Sequence, residues 1–243
     1  MSTLDHQALR EQVAACTLML NDLEILGYSG HVSVRLPGGE GLLIQSFEDS
    51  RAALTPAALL VCDVNGKLVS GPPDQRPPAE VFLHSEIYKA RPDVHAIAHF
   101  HHDRTTVFTL SDAQPLVPVK NHSVRWASGI PVHADPAHVN STARGQALAA
   151  TLGPHHAALI RAHGQVVVAE NVPGLLVDCV HFVENAQALY DAAVLGKVKP
   201  LTPAELETFS KDLKRDRHLV KLWKYYVGRA RARGVIPDDW KSL

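Results

Sequence analysis

Residues 78–102 read PAEVFLHSEIYKARPDVHAIAHFHH, and both the fold and the chemistry of the chain turn on them. A proline at the start and the breaker Arg91-Pro92-Asp93 predict a helix over residues 78–90. Residues 94–101 predict a buried strand. Glu80 stands at the start of the helix, and nineteen residues later come His99 and His101. Side chains at i and i+2 of a strand point the same way, so both imidazoles can bind one ion while His102 faces away. His163, in Arg161-Ala162-His163-Gly164 between two predicted strands, can supply a third imidazole. Three histidines, with or without a carboxylate, leave room for water or substrate, the pattern of a catalytic metal site. Imidazole and carboxylate suit zinc, and equally manganese, iron or cobalt. The competing reading is local hydrogen bonding, since His84, His95 and His102 make chance pairing of histidines easier.

Outward from this stretch, apolar residues Leu9, Val13, Cys16, Leu20, Leu23 and Leu26 predict an amphipathic helix over residues 5–26, stopped by Gly27. Residues 30–35 alternate as a strand with His31, Ser33 and Arg35 on one face, and residues 42–47 form a second strand. Residues 59–63 and 67–70, around Asn65-Gly66, predict a hairpin. The proline-rich residues 71–78 form a stiff loop into the helix of the opening stretch. Further on, a short helix is expected over residues 103–110, strands over 116–119 and 130–133, and a helix over 139–152. Strands over 157–160 and 165–169 follow, then a long helix over 172–195 and one or two helices within 203–234.

At 243 residues, 46% apolar and 20% charged, the chain is long enough for one large core. No repeat or composition break divides it. A formal net charge of −1 gives no general attraction to nucleic acid or anionic membrane. Fifteen histidines favour metal or pH-dependent chemistry. Three cysteines without paired spacing argue against a disulfide framework or a cysteine zinc site, and fit a reducing cytosol. The N-terminus lacks a basic-then-apolar leader and the chain lacks a membrane-length apolar run, so a cytoplasmic protein is expected. The basic residues 211–233 carry Leu213, Leu219, Leu222, Trp223, Tyr226 and Val227; they read as a helix packed on its own or a neighbouring subunit, in preference to a membrane-binding one.

The run Glu80, His84, Tyr88, Arg91-Pro92-Asp93-Val94, His99-Phe100-His101 and His163-Gly164 resembles the class II aldolase/adducin family. Gly30-His31-Val32-Ser33-Val34-Arg35, Thr55-Pro56 and the helix after His163 extend the resemblance over roughly residues 8–195. It implies an α/β, three-layer αβα fold, with a mainly antiparallel, mixed central sheet between helices. Residues 1–198 are then a catalytic domain and residues 199–243 a helical extension. It further implies a homotetramer with active sites at subunit interfaces and one divalent ion per subunit, zinc first by family. The ligands would be His99, His101 and His163, with Glu80 as a further ligand or catalytic acid/base.

The departures matter as much. Sugar-phosphate aldolases hold phosphate with an asparagine where this chain has His31, with a hydroxyl residue and glycine where it has Ala57-Ala58, and with serines where it has Pro78-Ala79. Alanine and proline side chains offer no donor. Where an aldolase carries its proton-donating tyrosine, this chain reads Lys120-Asn121-His122. The leading expectation is a metal-dependent decarboxylase of a hydroxylated aromatic or heteroaromatic carboxylate, with Glu80 or His122 returning a proton to carbon. His31, Ser33, Arg35, Thr55, Arg76 and Lys120 are the candidate substrate-binding residues. A retro-aldol lyase acting on a sugar phosphate or an unphosphorylated hydroxy-keto acid is the alternative, and a non-catalytic adducin-like interaction module the third reading. No nucleic-acid or membrane partner is expected.

Overall fold

A computed structural model describes residues 6–243. At its centre lies β5 (Ala96–Phe100), whose alternation divides the molecule. Ala96, Ala98 and Phe100 enter one apolar cluster and Ile97 the other, while His99 shares the face of Ile97. Around β5 an eight-stranded sheet runs in the order β4-β3-β2-β1-β5-β8-β7-β6. The strands are β1 (His31–Arg35), β2 (Gly41–Ile44), β3 (Leu60–Asp63), β4 (Leu68–Ser70), β6 (Val132–His133), β7 (Ala157–Ile160) and β8 (Gly164–Ala169). All neighbours pair antiparallel except β6 and β7.

One face is covered by α1 (Gln7–Asp22), α5 (Val172–Leu195) and α7 (Arg215–Ala232), which share a core with Val32, Val34, Ala98 and Val167. The other is covered by α2 (Val81–Ala90) and α4 (Thr142–Leu152), packed on Ile97, Ile160 and Val166. The two helices on that side touch closely because α4 carries Gly145. A Cβ there would lie 2.5 Å from the Phe82 carbonyl oxygen. The chain is thus a three-layer αβα fold with helices α6 (Pro203–Asp212) and α7 at its C-terminal end.

Several expected boundaries move for identifiable reasons. Residue 5 lies outside the described residues, and α1 stops at Asp22, ahead of the expected Gly27. Glu24 takes a left-handed φ of 58°, and the Asn21 side chain donates to the Leu26 carbonyl at 2.8 Å, closing the helix end. The strand expected over 42–47 ends at Ile44. Gln45 instead turns inward, accepting from the Val32 N–H and donating to the Gly30 carbonyl. Residues 116–119 are not a strand: the Val119 N–H and the Val117 carbonyl are both satisfied by the Asn185 side-chain amide, not by a sheet neighbour. The helix expected over 103–110 splits into α3 (Asp103–Thr106) and a 3-10 turn Val107–Thr109. The one expected over 139–152 begins at Thr142, where Ser141 accepts the Arg144 N–H.

In the C-terminal region, Leu219, Trp223, Val227 and Ala230 are buried in the same core as α1 and α5. The basic helix therefore packs on its own chain. No helix among the described residues is long and apolar enough to cross a membrane.

Candidate metal centre

Sheet register assembles the site. Antiparallel pairing of β1 with β5 sets His31 opposite His99, and pairing of β5 with β8 sets Phe100 opposite Gln165. The tight turn between β7 and β8 then brings His163 beside His101, which lies one residue past β5. That turn needs glycine after His163: a Cβ at Gly164 would sit 2.6 Å from the Phe100 carbonyl oxygen and 2.7 Å from the His101 ring. Glu80 precedes the first turn of α2 and enters from the helix layer.

Glu80, His99, His101 and His163 each present a ligand atom, and all four atoms lie within 4.8 Å of one another. Glu80 Oε2 is 3.4 Å from His99 Nε2, and Glu80 Oε1 is 3.6 Å from His163 Nε2. The carboxylate also accepts the Val139 backbone N–H at 2.9 Å. His138, absent from the sequence reading, stands 3.7 Å from Glu80 Oε1 with its side chain 75% exposed, at the mouth of the site.

Three features fit a divalent ion held by these residues. His99 Nδ1 lies 3.0 Å from the Gln165 carbonyl oxygen. A carbonyl only accepts, so Nδ1 carries the hydrogen and Nε2 faces the cluster with its lone pair. His99 Nε2 and His101 Nε2 are 2.9 Å apart. Two imidazole nitrogens on one tetrahedral zinc are about 3.3 Å apart, so a small separation of the two nitrogens would let them share a cation. Finally, both ring nitrogens of His163 are buried without a hydrogen-bond partner among the described residues, and ligation would satisfy one of them.

The electrostatics agree. Burial, with the charges of His99 and His163, pushes His101 down to about 3. Burial and His99 lower His163 as well. Burial alone would raise Glu80, but its polar neighbours His99 and His31 and the Val139 N–H outweigh it and hold the carboxyl well below its usual range. Neutral imidazoles beside an ionised carboxylate are the protonation states a metal requires.

A second group, His122, His181 and Glu184, is also close together. There the His122 and His181 rings stack at 4.0 Å instead of converging, and Glu184 already pairs with Lys120 Nζ at 3.2 Å. It borders a separate cavity of about 310 Å³ under α6 and α7.

The remaining expected site residues divide. His31 Nε2 is 3.9 Å from Glu80 Oε2, and Ser33 lies behind it on the same face of β1. Contrary to its expected substrate-binding role, Arg35 offers no free cation: its guanidinium donates to the carbonyls of Val94, Tyr88 and Arg91, tying β1 to the end of α2. Arg76 is on the surface, paired with Glu48 at 2.9 Å over the Phe47 ring. Thr55 borders a different cavity with Arg10 and Trp240. Lys120 and His122 belong to the second group, away from Glu80 within one chain.

Residues 10–190 match the family described as Class II Aldolase and Adducin N-terminal domain. The chain belongs to that family. Among relatives, the 3,4-dihydroxyphthalate decarboxylase of Rhodococcus jostii (strain RHA1) is 26% identical over 245 residues, covering 95% of this chain and 99% of that one. A putative aldolase class 2 protein of Caulobacter vibrioides is 26% identical over 139 residues, and the chain spans about half, 54%, of its length. The structure of an L-fuculose 1-phosphate aldolase from Glaciozyma antarctica PI12 superposes with a TM-score of 0.82 at 20% identity, over 96% of this chain and 93% of that one. That likeness speaks to the class II aldolase fold alone.

Proposed function

We propose that this protein is a metal-dependent carbon–carbon lyase, and within that class a decarboxylase of a hydroxylated aromatic or heteroaromatic carboxylate. One observation carries the reading: the three-histidine, one-glutamate cluster is intact, while positions 57, 58, 78 and 79, which match the phosphate-holding positions of sugar-phosphate aldolases, hold Ala, Ala, Pro and Ala, which offer no side-chain donor. Similarity to a dihydroxyphthalate decarboxylase along nearly the whole chain supports the same choice.

In this reading His99, His101 and His163 hold one divalent ion, and Glu80 is a fourth ligand or the proton carrier. The bound ion supplies Lewis acidity that stabilises the electron pair left when carbon dioxide departs. Glu80, kept ionised, takes the proton of the substrate hydroxyl at a carboxylate oxygen. When the bond between ring carbon and carboxylate breaks, the pair stays on the ring carbon, and Glu80 returns the proton there to form C–H. The same proposal includes a homotetramer in which His122 and Lys120 act on the site of an adjacent subunit.

Incubating the metal-loaded protein with 3,4-dihydroxyphthalate and related hydroxy acids should release carbon dioxide at a rate that Glu80→Gln lowers by two orders of magnitude or more, on the order of what general acid–base groups supply. Release of an aldehyde from a sugar phosphate or hydroxy-keto acid, without carbon dioxide, favours the retro-aldol reading. A protein that binds no stoichiometric metal favours the interaction module.

A further inference from the structure

Behind Glu80 lies a buried polar chain that no metal ligation explains. The spacing of two elements builds it. Along α2 the face toward the sheet carries Glu80, His84 and Tyr88, four residues apart and about 6 Å per step. Along β1 the facing side chains are His31, Ser33 and Arg35, two residues apart and about 6.7 Å per step. The near-equal steps interleave the two rows. His31 Nδ1 lies 2.6 Å from His84 Nε2, His84 Nδ1 lies 2.7 Å from Ser33 Oγ, and Ser33 Oγ lies 2.8 Å from the Tyr88 hydroxyl. His84 and Ser33 are fully buried, and His31 and Tyr88 nearly so.

With the buried Ser33 hydroxyl donating to one of its two partners, His84 or Tyr88, hydrogens can run along the chain in two directions. In one, Tyr88 donates to Ser33, Ser33 to His84 Nδ1, and His84 Nε2–H to His31 Nδ1, leaving His31 with an Nε2–H toward Glu80. In the other, every bond is reversed: Tyr88 donates to the His95 carbonyl and His31 turns an Nε2 lone pair on the carboxylate. Two magnitudes decide between them. The Tyr88–Ser33 contact is 2.8 Å, whereas Tyr88 to the His95 carbonyl is 3.5 Å, at the limit of a hydrogen bond. The ionised Glu80 is 3.9 Å from His31 Nε2, where an N–H is attracted and a lone pair repelled.

We propose that Tyr88, Ser33 and His84 are positioning residues that hold His31 in the Nε2–H tautomer, and that this donor, too far from Glu80 for a full hydrogen bond, recognises a substrate carboxylate next to the hydroxyl that Glu80 deprotonates. The second half rests on the decarboxylase reading; the first does not. Arg35 secures the far end, with its guanidinium 4.7 Å above the Tyr88 ring and bonded to the Tyr88 carbonyl. Of the expected substrate-binding residues His31 and Arg35, His31 is thus the one that can serve a carboxylate, as a neutral donor with one open N–H. Burial pushes His84 down to about 3, which agrees with a neutral ring.

Neutron diffraction from deuterium-exchanged crystals of the metal-loaded protein reads the tautomers without any turnover. Deuterium on Nε2 of both His31 and His84 is expected; deuterium on Nδ1 of either overturns the chain. Calorimetry with phthalate, a dicarboxylate with no hydroxyl, reads the second half. Ser33→Ala should weaken phthalate about tenfold at unchanged metal content, and Ser33→Thr, which keeps the hydroxyl, should restore it. Equal affinity across wild type, Ser33→Ala and Ser33→Thr overturns the carboxylate role. Neutron results as expected with no phthalate binding by wild type sink that role and the dicarboxylate substrate together, leaving the tautomer chain standing.

Discussion

A single backbone carbonyl decides how His99 meets the site. With Gln165 accepting at Nδ1, the ring can present only its Nε2 lone pair, and His101 and His163 converge on that atom. His163 makes no well-formed hydrogen bond through either ring nitrogen among the described residues, so its replacement should show first in metal content. His163→Ala should drop bound zinc or manganese well below one equivalent by elemental analysis, with the fold retained by circular dichroism. The same burial carries a pH signature. Burial pushes His84 down to about 3 from its ordinary 6.5, and His181 down to about 3 as well. Between those values the unfolded chain binds more protons than the folded one, so stability is present above pH about 6.5 and is lost progressively as pH falls toward 3. Urea unfolding of the metal-free protein should therefore have a lower midpoint at pH 5 than at pH 8. An unchanged midpoint would contradict neutral buried imidazoles.

At the scale of elements, the C-terminal helix is held by charge as well as by Trp223. Arg215, the first residue of α7, reaches Glu170 at 2.6 Å and Asp178 on α5 at 2.8 Å, and Arg125 bridges the same two carboxylates. Asp178 is 1% exposed, and burial raises its carboxyl in spite of both arginines. Removing one partner leaves a buried carboxylate half compensated, which costs about 3 kcal/mol. Arg215→Met should lower unfolding stability by about that amount, measured by denaturant titration, while metal content stays unchanged. Gly164→Ala tests the opposite end of the sheet: the added Cβ presses on the His101 ring, so metal affinity should fall by more than stability does. The strand expected over 116–119 shows why local pattern misleads here. Its apolar run is real, but the hydrogen-bond partner is one amide on α5, which no sequence window contains.

For the whole molecule, the position of His122 makes a prediction about assembly. Within one chain it stacks on His181 under α6 and α7, away from Glu80. If His122 serves catalysis, it does so across an interface of the proposed homotetramer. Sedimentation should then give four chains per particle. Mixing inactive Glu80→Gln and His122→Ala subunits should regain activity through hybrid sites that combine one intact residue from each. Four-chain particles with no regained activity would remove His122 from the mechanism and leave Glu80 as the proton carrier.

Much of this protein is written in periodicity that a reader of the chain can follow. Alternation at residues 30–35, the buried-strand run at residues 94–101, the prolines at 78 and 92, and the Asn65-Gly66 hairpin specify elements because backbone sterics and burial act locally. The four side chains of the candidate centre were named from one stretch and one distant turn, and the sheet brings them together. Even the His84–Ser33–Tyr88 chain has its spacing in plain sight, as Glu-x3-His-x3-Tyr set against His-x-Ser-x-Arg. What the sequence could not contain is which surface each polar group meets. Arg35 is tied to carbonyls at the end of α2, Arg76 to Glu48, and Lys120 to Glu184. Those partners lie from 28 to 64 residues away. A charged side chain is free or spent only after distant segments pack against it, and that decision belongs to the tertiary structure.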